Sequence, residues 1–229
     1  KLHDLKTGMM QELLTQGIGH SEFKDSPVGR IPVGWEVKPL SDISSFRRGS
    51  FPQPYGNPEW YSDTGHPFVQ VYDIGKDSRL KLATKVRISD AAASKSVFAP
   101  KGSIIVSIQG SIGRVAITQY DAYIDRTILI FTEITLKIDR GFFALMIGEI
   151  FRVKSEEADG GVIKTITKET LKKFFLQIPP LDEQQKIAET LNAVEGKLFR
   201  IAEKMTALQY TKKALMQDLL TGKVRVKTD

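Results

Sequence analysis

The chain has 229 residues, enough for one large domain with an appendage, and it contains no cysteine, which excludes disulfides and thiolate metal sites. Its 33 Lys and Arg residues outnumber its 27 Asp and Glu residues, so the net charge of +6 favours an anionic partner, with nucleic acid the leading candidate. No apolar run approaches the roughly 20 residues that cross a bilayer, and we therefore expect a cytoplasmic protein without a membrane partner.

Residues 1–20 are predicted to form the end of a helix. Charges are mixed into an apolar helical pattern, and Gly17 and Gly19 follow it as stop signals. The chain begins with Lys1 rather than Met. Either a short initial piece is absent or the chain is one half of a longer protein cut inside a helix, and both alternatives stay open. Residues 21–40, rich in Pro and Gly and containing Trp35, are predicted to be an irregular but ordered connector.

Residues 41–178 are predicted to form one globular domain of mixed α/β structure. Strand patterns rich in Val, Ile, Phe and Thr occur at residues 66–74, 103–109, 113–119 and 126–138. Helix patterns opened by Ser, Asp or Thr occur at residues 89–96, 139–157 and 167–174, and the apolar run at 174–178 predicts a buried strand. The fold class is therefore α+β.

Residues 179–222 are predicted to form one long coiled-coil helix, and residues 223–229 a tail. Pro179 and Pro180 end the globular domain, and Asp182 with Gln185 has the spacing of a capping box. Apolar residues then recur at heptad spacing, although Gly196 could bend the helix. About 38 residues give a rod of about 55 Å. The predicted pairing positions are Ile187, Leu191, Val194, Leu198, Ile201, Met205, Leu208, Leu215 and Leu219.

The two ends of the chain repeat each other. Residues 2–15 read LHDLKTGMMQELLT and residues 208–221 read LQYTKKALMQDLLT, with seven identical positions in one register. Chance matches between amphipathic helices involve apolar residues, whereas this repeat also matches a Lys, a Gln and a terminal Thr. The repeat predicts a unit that pairs with a copy of itself.

Three segments of the chain resemble the specificity subunit of type I restriction-modification systems. The most specific segment is IPPLDEQQKIAETLNAVEGKL at residues 178–198, which follows a variable domain and opens a long helix. The other two are LKTGMMQELLTQGIGHSEFKDSPVGRIPVGWEVKPLSDI at residues 5–43 and KKALMQDLLTGKVRV at residues 212–226. Together they bracket the whole chain.

The resemblance implies one target recognition domain flanked by the helical regions of this family. Such subunits carry two recognition domains held apart by antiparallel helices, so this chain corresponds to a natural half-subunit that dimerises or to the C-terminal half of a longer subunit. The resemblance also implies a non-catalytic protein that reads half of a bipartite double-stranded DNA target. Its implied partners are methylation subunits that use S-adenosylmethionine and a restriction subunit that uses ATP and Mg, so no cofactor is expected on this chain.

Base readout needs Arg, Lys, Gln or Asn on loops, and phosphate contacts add Ser, Thr, Tyr and Lys. Side chains of these kinds cluster in the FRRGSFPQPYGN loop, in and after the strand pattern at 66–74, in the turn at 109–114, and in a basic loop near residue 164. The predicted DNA-binding residues are Arg47, Arg48, Ser50, Gln53, Tyr55, Gln70, Tyr72, Lys76, Gln109, Ser111, Arg114 and Lys164.

Other functions have weaker support. The sequence contains no glycine-rich cofactor loop, no phosphate-binding loop and no motif for methylating a base, and its three histidines are scattered without metal spacing. Asp121, Asp125, Glu133 and Lys137 suggest a nuclease but lack the usual spacing. Gly110–Gly113 resembles the GXXG clamp of RNA-binding modules but lies between strands. A coiled-coil scaffold with a protein-binding globular domain and no DNA readout remains the main alternative.

Overall fold

Two four-stranded sheets and a layer of helices build the body of the protein in the computed structural model, which describes residues 2–75, 77–134, 137–157 and 167–223. A long helix follows the body at the C-terminus, so the predicted α+β class with a C-terminal rod is confirmed. Within the described residues no helix is both long enough and apolar enough to span a membrane.

The first sheet is antiparallel and carries apolar residues on both faces. Its strands, in spatial order, are β4 (Ser44–Arg48), β11 (Ile128–Ile134), β8 (Ile104–Ser107) and β9 (Val115–Ile117). Leu129 and Phe131 of β11 face the helices, whereas Ile128 and Ile130 face the second sheet, because successive side chains of a strand point to opposite sides. This double burial explains the continuous apolar run in β11.

The second sheet mixes parallel and antiparallel pairs. Its strands, in spatial order, are β6 (Val86–Ile88), β5 (Tyr61–Val69), β10 (Ala122–Ile124) and β7 (Val97–Ala99). Strands β5 and β10 are parallel, so both end at the same edge of the sheet. The short helix α3 (Asp90–Ala93) lies beside β5 and packs into a core with Phe51, Phe68 and Ile88.

The helical layer covers the first sheet. It consists of α1 (Leu2–Thr15), α2 (Leu40–Ile43), α4 (Arg140–Glu157) and α5 (Lys168–Lys172). Caps agree with the sequence: Asp139 Oδ1 accepts the Phe142 N–H at 2.8 Å before α4, and Thr167 Oγ1 accepts the Thr170 N–H at 3.2 Å before α5. These local signals explain why the helices predicted at 139–157 and 167–174 are found close to those bounds.

The predicted connector at 21–40 is more regular than expected. It holds a ribbon of β1 (Phe23–Lys24) and β2 (Ile31–Pro32), followed by β3 (Glu36–Pro39), which pairs antiparallel with β12 (Phe175–Ile178). Trp35 is fully buried in the main core. The connector therefore belongs to the globular body, because its backbone hydrogen bonds come from a strand about 140 positions away, which local sequence does not reveal.

The strand predicted at 66–74 is displaced toward the N-terminus. Strand β5 ends at Val69, and a 3₁₀ turn at Val71–Asp73 follows it. Asp73 Oδ2 accepts the Gln70 N–H at 2.9 Å, and this local bond favours a turn over an extended chain. Tyr72 consequently lies in the turn rather than on a strand. The strand predicted at 126–138 is shorter than expected, and β10 was not predicted.

Helix α6 spans Leu181–Leu220 as one uninterrupted helix of 40 residues, which gives a rod of about 60 Å. Gly196 does not break it. The predicted capping box is wrong, because Pro180 is the N-cap and its carbonyl accepts the Gln184 N–H at 3.0 Å. Asp182 instead lies in the first turn, where a carboxylate is favoured by the helix dipole.

The predicted pairing positions along α6 differ in burial. Ile187 and Leu191 are buried in the main core beside Leu14 of α1. Val194, Leu198 and Ile201 are half-buried. The distal positions are between 46% and 59% exposed, and they are Met205, Leu208, Leu215 and Leu219.

One carboxylate joins the base of α6 to the chain that follows α1. Glu183 Oε2 accepts the Trp35 Nε1–H at 3.0 Å, and Glu183 Oε1 accepts the Ile18 N–H at 2.9 Å and lies 2.8 Å from His20 Nε2. Gly17, with φ of +69°, passes against this junction, and a Cβ placed there would lie 2.3 Å from Glu183 Oε1. The junction therefore tolerates only glycine at that position.

Replacing Gly17 with Ala should destabilise the protein by about 2–5 kcal/mol, from left-handed backbone strain plus steric conflict with Glu183 and Trp35. Gly19→Ala is the matched control, because Gly19 has φ of +71° but open space around its Cβ position. The control should cost only about 1–2 kcal/mol. Equal losses in urea denaturation would show that the junction imposes no steric constraint.

Candidate nucleic-acid interface

A cleft of about 290 Å³ lies where the second sheet ends and the turns of the first sheet begin. Strands β5 and β10 both end at this edge, so Gln70 and Asp125 come directly after paired residues. The lining residues are Tyr55, Gln70, Val71, Tyr72, Gln109, Gly110, Asp125, Arg126 and Thr127. We refer to this feature as the cleft.

A close backbone contact brings the loop after β4 to the cleft. A Cβ placed on Gly49 would lie 2.2 Å from the Asp125 carbonyl oxygen, so only glycine permits this approach. The loop then continues through Tyr55 and ends in a 3₁₀ turn at Pro58–Trp60. Long-range packing therefore places Tyr55 on the β10–β11 turn.

A hydrogen-bond network fixes the polar side chains of the cleft. Tyr55 Oη donates to Asp125 Oδ2 at 2.8 Å and accepts from Gln70 Nε2 at 2.6 Å, and Tyr72 Oη donates to Gln70 Oε1. Asp125 Oδ1 accepts the Thr127 N–H at 2.9 Å and the Thr127 hydroxyl at 2.5 Å. Asp125 is only 3% exposed, so this buried carboxylate is satisfied by three donors and holds the network in place.

The tyrosines of this region remain protonated donors at neutral pH. Burial is the largest cause that raises the pKa of Tyr55 well above its ordinary value, and the hydrogen bond to Asp125 is the second. Burial also raises the pKa values of Tyr61 and Tyr72. The cleft therefore offers neutral hydroxyls around one buried carboxyl group.

Cations lie over aromatic rings in and around the cleft. The Arg126 guanidinium carbon is 5.7 Å from the centre of the Tyr55 ring, and Lys85 Nζ is 5.4 Å from that of Tyr72. Lys95 Nζ is 4.7 Å from the Trp60 ring. Basic groups can contact phosphates and aromatic rings can contact bases, so this combination favours a nucleic acid as the ligand.

Several of the residues predicted from sequence to bind DNA are brought together here. Those at or beside the cleft are Arg48, Tyr55, Gln70, Tyr72 and Gln109. Ser111 and Arg114 lie on the adjoining β8–β9 turn, where Arg114 Nη1 donates to the Ile74 carbonyl at 3.3 Å.

The remaining predicted residues lie elsewhere. Arg47 and Gln53 are exposed and do not line the cleft. Ser50 Oγ donates to the Lys95 carbonyl at 3.0 Å. Lys76 and Lys164 lie outside the described residues.

Sequence reasoning missed the Asp125–Arg126–Thr127 turn as part of the site. An Asp whose side chain accepts the N–H two residues later is an Asx turn, and a D-x-T sequence between two strand patterns was the available signal. The prediction instead began a strand at Arg126, which hid the turn.

The carboxylates considered for a nuclease do not gather at one place. Asp121 Oδ1 accepts the Lys101 N–H at 2.7 Å, Glu133 Oε2 accepts the Ser45 hydroxyl at 3.0 Å, and Asp125 belongs to the cleft. Across the described ranges, no three His, Cys, Asp or Glu side chains are grouped so as to hold a metal ion. Gly110 and Gly113 lie on a turn between strands, which is not the helical setting of a GXXG clamp.

Residues 32–208 match the family model described as the type I restriction modification DNA specificity domain. Over 99% of the chain, a protein of Methanocaldococcus jannaschii named as the MjaX type I restriction enzyme specificity subunit is 31% identical, and the MjaVIII specificity subunit of the same organism is 26% identical. The chain spans 52% and 55% of these two relatives.

Among solved structures, the HsdS subunit from Thermoanaerobacter tengcongensis is similar in fold. The TM-score is 0.64 at 20% sequence identity, and the match covers 95% of this chain and 50% of that chain. The chain thus corresponds to about half of its relatives in both sequence and fold.

Replacing Tyr55 with Phe should lower the free energy of unfolding at pH 7 by about 1–3 kcal/mol, because Asp125 loses a donor. The raised pKa of Tyr55 contributes stability that is complete below the unfolded tyrosine pKa of about 10 and is lost as pH rises toward the folded pKa. The difference between wild type and Tyr55→Phe should therefore narrow above about pH 10.

Urea denaturation from neutral to alkaline pH measures this difference. Tyr210→Phe is the control, because Tyr210 is 72% exposed on α6 and its substitution should leave the free energy of unfolding at pH 7 unchanged. A Tyr55→Phe deficit that stays constant or grows with pH would contradict the assigned hydrogen bond.

Proposed function

The chain belongs to the type I restriction-modification DNA specificity family, and from this premise we propose that it reads one half of a bipartite target in double-stranded DNA. The observation that carries the proposal is the cleft, in which basic, amide and hydroxyl side chains converge on turns at one edge of a rigid sheet. Side chains of these types read base edges and hold phosphates. The net charge of +6 agrees with a polyanionic partner.

The helices support pairing with a second recognition half. The end of α1 packs on the first turns of α6, where Leu14 joins Ile187 and Leu191 in one core. The sequence of α1 recurs at residues 208–221, at the far end of the same helix. The far end of α6 should therefore dock on the first turns of the α6 helix of the second half, in the way that α1 docks on the first turns of α6 in its own chain.

The second half is either another copy of this chain or another part of the same longer chain. Two readers at opposite ends of paired rods would contact half-sites separated by a spacer that the rod length determines. We assign no catalysis to the chain. Methylation subunits with S-adenosylmethionine and a restriction subunit with ATP and Mg would supply the chemistry.

Selection from a randomised duplex library tests the function as a whole. The chain, assembled with its partner subunits, should enrich a short motif of a few base pairs at a fixed position. Failure to enrich any motif, together with binding that does not depend on salt, would favour the scaffold alternative.

Replacing both Arg47 and Arg48 with Gln should weaken binding to a mixed-sequence duplex. If each arginine contacts one phosphate, the slope of log K against log salt should fall by about 0.9 per residue, measured by fluorescence anisotropy at several salt concentrations. Arg30→Gln removes a charge from the connector and is the control. An unaltered slope in the double variant would remove both residues from the interface.

Replacing Leu208 and Leu215 with Glu should abolish pairing. Both side chains belong to the row of predicted pairing positions along α6, which we call the seam, and they are 59% and 54% exposed. We expect light scattering to give the mass of a pair for the wild-type chain and of a monomer for the double variant. Tyr210→Glu, on the same helix but off the seam, should preserve the pair. A monomeric wild-type chain would exclude the homodimer and leave a second half within the same longer chain, and a double variant that still pairs would contradict the assignment.

A further inference from the structure

We infer that Arg126 is a specificity-determining residue that reads a guanine in the major groove; this inference rests on the proposed function. Arg126 lines the cleft, and its side chain is exposed. It was not among the residues predicted from sequence.

The backbone of Arg126 is held from both sides. Asp125 Oδ1 accepts the Thr127 N–H at 2.9 Å, and the Asp125 carbonyl accepts the Ile128 N–H at 2.9 Å. Arg48 Nε donates to the Arg126 carbonyl at 2.5 Å. The side chain therefore leaves a fixed point, which is what discrimination between base pairs requires.

The side chain of Arg126 is oriented by its neighbours, but its hydrogen-bond donors are not used by any residue that the structure describes. Its guanidinium carbon lies 5.7 Å from the centre of the Tyr55 ring, and Tyr55 is itself held by Asp125 and Gln70. Stacking on a ring restricts a guanidinium while leaving its N–H groups available at the edge. Among the described residues, no hydrogen bond or ion pair engages this guanidinium.

Neighbouring polar groups of the cleft are already engaged. Gln70 uses its amide nitrogen on Tyr55 and its amide oxygen on Tyr72. Arg114 donates to the Ile74 carbonyl, and Arg48 donates to Arg126. The fork of Arg126 is therefore the group best placed to accept a new partner.

The chemistry of the fork selects the base. Guanine presents two adjacent acceptors, N7 and O6, which match two parallel N–H donors of a guanidinium. Adenine presents a donor beside N7, and cytosine presents a donor, so each opposes one or both N–H groups. A Lys at the same point keeps the charge but loses the fork.

The test compares wild type, Arg126→Lys and Arg126→Gln in the complex with partner subunits. Library selection on the wild type gives the half-site, and four duplexes that differ at each of its positions give the base preferences. We expect the wild type to prefer guanine at one position by about 5- to 150-fold. Arg126→Lys should lose most of the preference at that position and keep the preferences at the other positions. Arg126→Gln should shift the preference at that position toward adenine, the base that Gln pairs with.

Arg30→Lys is the matched control and should keep every preference, and thermal unfolding of each variant checks that it folds. A half-site without a G·C pair, or Arg126 variants that retain every base preference, would overturn the inference. So would an equal loss of affinity for all sequences in Arg126→Gln together with a smaller slope of log K against log salt, because that pattern marks a phosphate contact. A wild type that selects no motif would overturn the proposed function itself.

Discussion

The structure depends on one carboxylate at the start of the long helix. Glu183 accepts from the Trp35 indole and the Ile18 backbone and lies beside His20, so it ties the first turn of α6 to the chain that follows α1. The positive end of the helix dipole favours a negative charge at this place. Because the connector continues into β3, and β3 pairs with the strand just before α6, the bond fixes the rod relative to the sheets.

Closely packed elements connect helix α6 with the cleft. Strand β11 is covered on both faces, with Leu129 and Phe131 in the core that contains Trp35, and Ile128 and Ile130 in the core between the sheets. The same strand begins directly after the Asp125 turn that organises the cleft. Two satisfied carboxylates, Glu183 at the base of α6 and Asp125 at the cleft, are therefore connected through close-packed side chains, which hold the cleft in a fixed position relative to the helix.

Features with local causes were predictable from sequence, and features with long-range causes were not. The N-cap residues Asp139 and Thr167 act within one turn, so α4 and α5 were found, and heptad spacing gave α6. The parallel pairing of β5 with β10 and the contact of Gly49 with Asp125 join residues far apart in the chain, and no periodicity marks them. For the same reason, sequence identified Tyr55 on a loop and Gln70 on a predicted strand as candidate DNA-binding residues, but not the Asp125 turn that organises them.

The distal half of α6 supports the proposed pairing. Isolated helices in water are marginal, and most helical stability in proteins comes from packing of an apolar face. Beyond Ile201 the seam of α6 has no cover within the described residues, and Leu208, Leu215 and Leu219 are about half exposed. At the other end of the same helix, α1 covers Ile187 and Leu191. Since residues 208–221 repeat α1, the proposed pairing would place the far end of α6 on the kind of surface that α1 occupies at the near end, so that both ends of the helix would be covered.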